Sequence, residues 1–361
     1  RVRNLPNFKG ECPVAALAGE ITPAGEGQVR ALIPKAGNPA LSTPNGQLLD
    51  EALGELEFMV SIDIYLNETS RHANIIFPPV MGLERPHYDV AFQALAIRNG
   101  AKYSSAVFTP GRDQRSDLQI FTELAWRMQK GNMFSKLGGW FKKVALQRLG
   151  SGWVIDRRLK QGPYAKSHGL TVKKLKQNPH GIDLGAMRPC LPGRLFTRDK
   201  TINLAPAEFI ADLKQLDNAT LADHADPVAN GFDLQLIGRR DPRTNNSWLH
   251  NSRRMVKGKP RCIALINPRD AESRGRANGD VAQVRSRVGS IRIPVQTSAD
   301  IMPGVISIPH GWGHQVEGIK LSVASEHAGV NTNILTDERF LDSVSGNAAL
   351  NGVPVSLAKV K

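Results

Sequence analysis

An α/β domain followed by a small closed β-barrel is the fold class this sequence predicts. Two patterns carry the prediction. Between residues 29 and 65, two apolar runs flank a segment whose leucines recur at helical spacing, and beyond residue 232 short apolar runs alternate with Gly-containing turns. A third observation sets the scale: 361 residues, 41% hydrophobic and 22% charged, can fill more than one core and do not resemble a disordered chain. No run approaches the roughly 20 apolar residues that a bilayer span needs.

Taken in order, Val29 to Lys35 reads as a buried strand ending at Gly37-Asn38-Pro39. Asn45-Gly46 opens a helix carrying Leu48, Leu49, Ala52, Leu53 and Leu56, and Phe58 to Tyr65 has the breadth of a second buried strand. Strand, helix, strand implies a parallel pair. Asn67 to Asn74 reads as a helical turn, Ile75 to Pro79 as a short strand, and Asp89 to Arg98 and Lys102 to Phe108 as extended pieces. Ser116 with Gln119 forms a capping box before a helix bearing Leu118, Phe121, Leu124, Ala125 and Met128 on one face. Residues 1–135 are therefore expected to form the α/β domain. Residues 136–230, broken by Gly and Pro and holding one helix at Ala207 to Leu216, read as a basic connector or insertion. Residues 231–361 are the expected barrel: Leu234 to Gly238, a short helix from Pro268 to Arg274, then Val281 to Arg285, Ile291 to Thr297, Val305 to Ile308 and Val353 to Ala358.

The formal charge of +14 is concentrated. Arg127 to Lys176 holds thirteen Lys or Arg against the single acid Asp156. A solvated basic face, a dock for an acidic partner, and binding to nucleic acid or anionic lipid all fit such a run. An aromatic content of only 6% weakens a single-strand stacking reading. Cys12, Cys190 and Cys262 are too scattered for a disulfide framework, an iron–sulfur cluster or a zinc knuckle, so a reducing setting is expected, cytoplasmic by default with an export signal upstream of Arg1 as the open alternative. The sequence starts at Arg1 without a Met, and a fragment is expected.

Polar clusters stand where strands end, the position at which open parallel sheets bind ligands. Gly37-Asn38-Pro39 follows the first strand and is equally a plain β-turn. Asp63 ends the second, with Asn67 one turn on; a carboxylate there accepts from a guanine edge or ribose, or caps a helix. Asp117 suits the first turn of its helix. The segment Gly238 to Asn251 places Arg239, Arg240 and Arg243 beside Thr244, Asn245, Asn246 and Ser247, donors matched to a pyrophosphate and to a base edge. Pro309-His310-Gly311-Trp312-Gly313-His314 sets two His beside a Trp, and reads as a packed Trp with hydrogen-bonded His more readily than as a metal site. No P-loop, Gly-x-Ser-x-Gly elbow, Gly-x-Gly-x-x-Gly turn or His-Glu-x-x-His is present. Common hydrolases and NTPases are disfavoured.

These pieces together resemble the carboxyl-terminal half of molybdopterin oxidoreductases of the dimethyl sulfoxide reductase superfamily, which includes formate dehydrogenases and nitrate reductases. The resemblance rests on Ala36 to Pro39, Val60 to Pro79, Ser116-Asp117-Leu118, Leu236 to Asn251 and Val330 to Thr336, in the family's order. It implies a nucleotide-binding α/β domain and a double-psi-type barrel that jointly grip a bis(molybdopterin guanine dinucleotide) carrying molybdenum or tungsten. Carried over by position, Asn38, Asp63, Asn67 and Asp117 are the implied nucleotide contacts of the first domain. Gly238, Arg239, Arg240, Thr244, Asn245 and Asn246, with Trp312 and Asn333, are those of the barrel. The family commonly reads Ala-Asp where this chain has Ala73-Asn74, a departure expected to touch local capping only.

The same resemblance places the metal ligand and an iron–sulfur cluster in an amino-terminal half that these residues do not match, so no catalytic residue and no metal ligand is assigned. A missing amino-terminal half, or a separate chain, is the implied partner, and an acidic redox partner is a further candidate. The substrate is unspecified; formate or a similar small molecule is the guess by family frequency. The alternatives are a cofactor-binding or delivery module without catalysis of its own and, more weakly, a nucleic-acid-binding protein.

Overall fold

The computed structural model describes residues 1–219 and 231–360. Contacts divide them into two units, residues 1–77 with 204–361, and residues 78–203. This division differs from the expected one at 135 and 230: residues 78–135 fall in one unit with the basic segment, and residues 1–77 in one unit with the barrel. The end of the expected connector, residues 220–230, lies outside the described residues.

In the first unit, Ala31–Leu32, Phe58–Ser61 and Ile75–Ile76 form a three-stranded parallel sheet. The helix Gly46–Gly54 starts at Asn45, whose left-handed backbone and side-chain acceptor for the Leu48 N–H suit an asparagine cap. Its Leu49, Ala52 and Leu53 pack on Ala18, Ile21 and Met59. The second strand stops at Ser61, short of the expected Tyr65. Asp63 is the reason: its Oδ1 accepts the Tyr65 N–H at 2.9 Å, an Asx turn that takes the backbone out of the sheet.

The barrel closes six strands in the order Val281–Arg285, Ser290–Thr297, Ala264–Ile266, Val305–Pro309, Leu234–Arg239 and Val353–Lys359. Two neighbouring pairs are parallel, Ser290–Thr297 with Ala264–Ile266 and Val305–Pro309 with Leu234–Arg239; the others are antiparallel. Period-two alternation sends Ile291, Ile293 and Val295, with Leu234, Leu236, Ile306 and Ile308, into one core. The three-residue strand Ala264–Ile266 escapes sequence reading because it is too short to alternate visibly.

Residues 78–203 form the second unit. Its capping box at Ser116 and Gln119 opens the helix Asp117–Met128 as expected. Asp89 to Arg98 is not extended: Asp89 Oδ1 accepts the Ala91 and Phe92 N–H groups and starts a 3-10 turn at Phe92–Leu95. Much of the basic run lies on a helix, Met133–Gln161, that the glycines concealed in the sequence and that breaks at Gly150, where φ is +70°. Arg127 and Lys143 pair with Glu123, and Lys160 with Asp156. A small core of Ala101, Tyr103, Leu170, Val172 and Leu175 holds the unit together. Among the described residues no helix is long and apolar enough to cross a membrane.

The barrel core sets a stability test. Leu236 is fully buried, whereas its neighbour Ile237 is exposed. Leu236→Ala is expected to lower unfolding free energy by about 2–5 kcal/mol through lost burial plus a cavity, and Ile237→Ala by well under half of that, read as denaturant midpoints.

Candidate functional site

Within the first unit, the loops that leave the carboxyl ends of the parallel strands meet loops of the barrel. The residues after Ala31–Leu32 supply Asn38, and those after Phe58–Ser61 supply Asp63, Asn67, Glu68, Thr69 and Ser70, all buried. Asn67 is the organiser of the second loop. Its Oδ1 accepts the Thr69 and Ser70 N–H groups, and its Nδ2 donates to Asp63 Oδ2 at 3.1 Å. Asp63 and Asn67 therefore spend much of their bonding capacity shaping the loop; Asp63 forms an Asx turn and does not cap a helix, the role the sequence had offered as its alternative.

Asn38 reaches further. Its Nδ2 donates to Glu68 Oε2 at 2.7 Å, and its Oδ1 accepts from Thr69 Oγ1 at 2.7 Å. The other carboxylate oxygen, Glu68 Oε1, accepts from His314 Nδ1 at 2.7 Å, and His314 Nε2 lies 2.8 Å from His250 Nδ1. His250 stacks on Trp312 with ring centroids 3.9 Å apart. This line joins a strand-end loop of the sheet to two barrel loops, through side chains each at most 8% exposed. Flanking bonds repeat the join: Trp248 Nε1 donates to the Ala36 carbonyl, Asn331 Nδ2 to that of Ala40, and Asn333 Nδ2 to that of Leu41.

The charges follow from this burial. Desolvation pushes the Glu68 carboxyl upward, but hydrogen bonding and charge from His314, with the Asn38 amide, outweigh it and hold the group below its ordinary range. Burial pushes Asp63 the other way, up, against the Tyr65 and Asn67 donors. Burial, then the charge of His314, drives His250 down to about 3, so this ring is neutral. Two buried atoms here make no hydrogen bond to a described group: His250 Nε2 and Trp312 Nε1.

The barrel loop after Leu234–Arg239 behaves unevenly. Arg239 points inward, its Nη1 donating to the Ser307 carbonyl and its Nη2 to that of Ile263, so it ties two strands together. Gly238 donates its N–H to Asn351 Oδ1. Thr244 is buried and its Oγ1 donates to the Asp241 carbonyl. Arg240, Asn245 and Asn246 are exposed, and both asparagines hold left-handed backbone. Gly311, at φ +90°, presses on that turn so closely that a Cβ there would collide with the Asn246 carbonyl. A cavity of about 400 Å³ opens beside the network, lined in part by Glu68, Gly313, Asn331, Asp50 and Arg292.

Of the residues singled out in the sequence, Asn38, Asp63, Asn67, Thr244, Asn245, Asn246, Trp312 and Asn333 lie in this loop system. Gly238 and Arg239 stand at the end of the barrel strand that leads into it, with Arg240 following. Asp117 belongs to residues 78–203, where it pairs with Arg85 at 2.8 Å. Sequence reasoning missed Glu68, Thr69 and His250 as members; Asn331, whose amide the sequence offered as a cap or a ligand contact, caps the turn at Thr332–Ile334 and bonds the Ala40 carbonyl. Glu68 and His314 are 246 residues apart, a separation that no local pattern reports. At the departure noted in the sequence, Asn74 Oδ1 accepts the Met59 N–H at 2.7 Å, a local role that a carbonyl oxygen fills.

Residues 10–127 match the family described as molybdopterin oxidoreductase, and residues 234–354 match the molydopterin dinucleotide binding domain. The chain is 32% identical over 298 residues to the assimilatory nitrate reductase catalytic subunit of Bacillus subtilis, covering 80% of this chain and 38% of that protein. It is 23% identical over 308 residues to a dimethyl sulfoxide reductase of Haemophilus influenzae, covering 81% and 37%. To a formate dehydrogenase subunit alpha of Methanocaldococcus jannaschii it is 27% identical over 278 residues, covering 75% and 37%. The chain thus spans less than two fifths of the length of these curated relatives. In fold it is similar to acetylene hydratase from Pelobacter acetylenicus, with a TM-score of 0.70 at 19% identity, covering 96% of this chain and 46% of that one.

Acid should loosen this site in a defined window. An unfolded histidine binds a proton below about pH 6.5, whereas His250 in the fold does not until about 3. Between these values the unfolded state holds more protons, so stability is present above the window and is lost as pH falls through it, by up to about 1.4 kcal/mol per pH unit. Glu68 acts in the same sense, losing its stabilising charge as pH falls through its depressed value. His250→Phe is expected to flatten the acid-side slope of unfolding midpoint against pH.

Proposed function

Because the chain belongs to the dimethyl sulfoxide reductase superfamily of molybdopterin oxidoreductases, we propose that residues 1–77 and 204–361 form one part of the clamp for a bis(molybdopterin guanine dinucleotide). The observation that carries this reading is the convergence of strand-end and barrel loops on the Asn38, Glu68, His314 and His250 line. The residues present suit such a group. Trp312 Nε1 and His250 Nε2 are buried polar atoms still lacking a partner, and the left-handed Asn245-Asn246 turn against a side-chain-free Gly311 permits close main-chain approach. Two parallel pairs in a mixed closed barrel support the double-psi type.

When bound, the group supplies two-electron redox chemistry at molybdenum or tungsten. This chain's residues bind and orient. Arg240, exposed at the loop, offers charge-assisted donors to a pyrophosphate. Asn38, Asp63, Asn67, Gly238, Thr244, Asn245, Asn246 and Asn333 shape the walls or donate from them, while Arg239 holds the barrel end in place. Asp117 is a proposed nucleotide contact of its own unit. The metal ligand and an iron–sulfur cluster are proposed to come from polypeptide corresponding to the remaining length of the relatives. A small substrate such as formate, an acidic redox partner facing the basic run, and a cytoplasmic setting complete the proposal.

Calorimetric titration of this chain with isolated cofactor tests the reading. Saturable binding is expected, and absence of binding by the folded chain would overturn it. Arg240→Ala should weaken that binding by about 1.5–3 kcal/mol while moving the unfolding midpoint little. Arg239→Ala should do the reverse, destabilising the barrel by a similar amount.

A further inference from the structure

Glu68, His314 and His250 are each 1% exposed and stand in a hydrogen-bonded line. A carboxylate only accepts, so His314 Nδ1 carries a hydrogen. The contact between His314 Nε2 and His250 Nδ1 holds one hydrogen, and it belongs to one ring or the other. Each choice dictates the far end of the line. With the hydrogen on His250 Nδ1, both rings are neutral and His250 Nε2 is a bare lone pair. With it on His314 Nε2, His314 is an imidazolium against Glu68, and His250, still neutral, carries its hydrogen on Nε2. The two states differ by one proton, and neither ring has to move.

The surroundings favour placing the charge on His314 rather than on His250. His314 is bonded directly to the buried Glu68 carboxylate, which stabilises a cation more than the Trp312 face does for the stacked His250. Facing groups on other elements are the Asn38 amide, bonded to Glu68 Oε2, the Gly311 backbone, and Asp241, which is itself paired with Arg261 at 3.4 Å.

We propose that Glu68, His314 and His250 form a one-proton store that converts His250 Nε2, a nitrogen without a partner among the described residues, from acceptor to donor as the proton enters. The step balances without electron transfer. A proton bonds to His250 Nε2, the His250 Nδ1–H bond breaks, and its proton passes to His314 Nε2, where Glu68 offsets the new charge. Glu68 and His314 are positioning residues, acting on a ligand only through His250. What meets Nε2 rests on the cofactor reading above; the store belongs to the polypeptide and is read without any ligand, so either can fail while the other stands.

Long-range proton–nitrogen correlation spectra of the imidazoles in the full ¹⁵N-labelled chain, recorded without ligand from about pH 4 to 9, test the store. The expected result is a neutral His250 whose hydrogen sits on Nε2 at the acid end and on Nδ1 at the basic end, switching in step with His314. A His250 that keeps one tautomer throughout, or becomes an imidazolium itself, overturns the proposal. Glu68→Gln provides a second arm. Thr69 Oγ1 pins the Asn38 oxygen, so the Asn38 amide faces residue 68, a glutamine turns its carbonyl there, and its own N–H groups face His314 Nδ1. His250 should then hold its hydrogen on Nε2 at every pH, and a surviving switch in this variant counts against the store. The wild-type titration decides alone if the variant does not fold.

Discussion

A carboxylate enclosed by protein is costly unless donors surround it, and Glu68 obliges two distant parts of the chain to supply them. Asn38 comes from the loop after the first strand of the sheet, and His314 from a loop after a barrel strand. Removing either leaves a buried charge under-satisfied, so the parallel sheet and the barrel cannot separate cheaply. The hydrogen bonds from Trp248, Asn331 and Asn333 to main-chain carbonyls of residues 36–41 reinforce a join whose electrostatic centre is Glu68.

Much of the architecture was legible where physics is local. Asn45 before Gly46, the Ser116 and Gln119 box, and the alternation through Ile291, Ile293 and Val295 each report a bond or a face within a few residues. The misreadings have equally local causes. Asp89 was hidden because an acid that bends the backbone looks, in sequence, like any polar residue between apolar ones. The helix Met133–Gln161 was hidden by its own glycines, and its break at Gly150 shows that they were not misleading in every respect.

The site was legible as a set of segments and not as a network. Asn38 and Trp312 stood out through their neighbours in the chain, and both are members. Glu68 did not, since its meaning depends on a histidine far along the sequence. Arg239 and Arg240 look interchangeable as letters, yet one guanidinium is spent on the carbonyls of Ser307 and Ile263 while the next is exposed. Strand geometry separates them: consecutive residues at a strand end face opposite ways.

The interruption of the first unit by residues 78–203 bears on synthesis at the ribosome. At about 5–20 residues per second, residues 1–77 emerge roughly 6–25 s before residue 204, where the rest of their unit begins. During that interval Glu68 has Asn38 within reach but not His314, and the apolar flank of the early sheet has no barrel to join. The inserted unit, with its own core and caps, has time to fold first, which makes residues 1–77 a natural client for a chaperone.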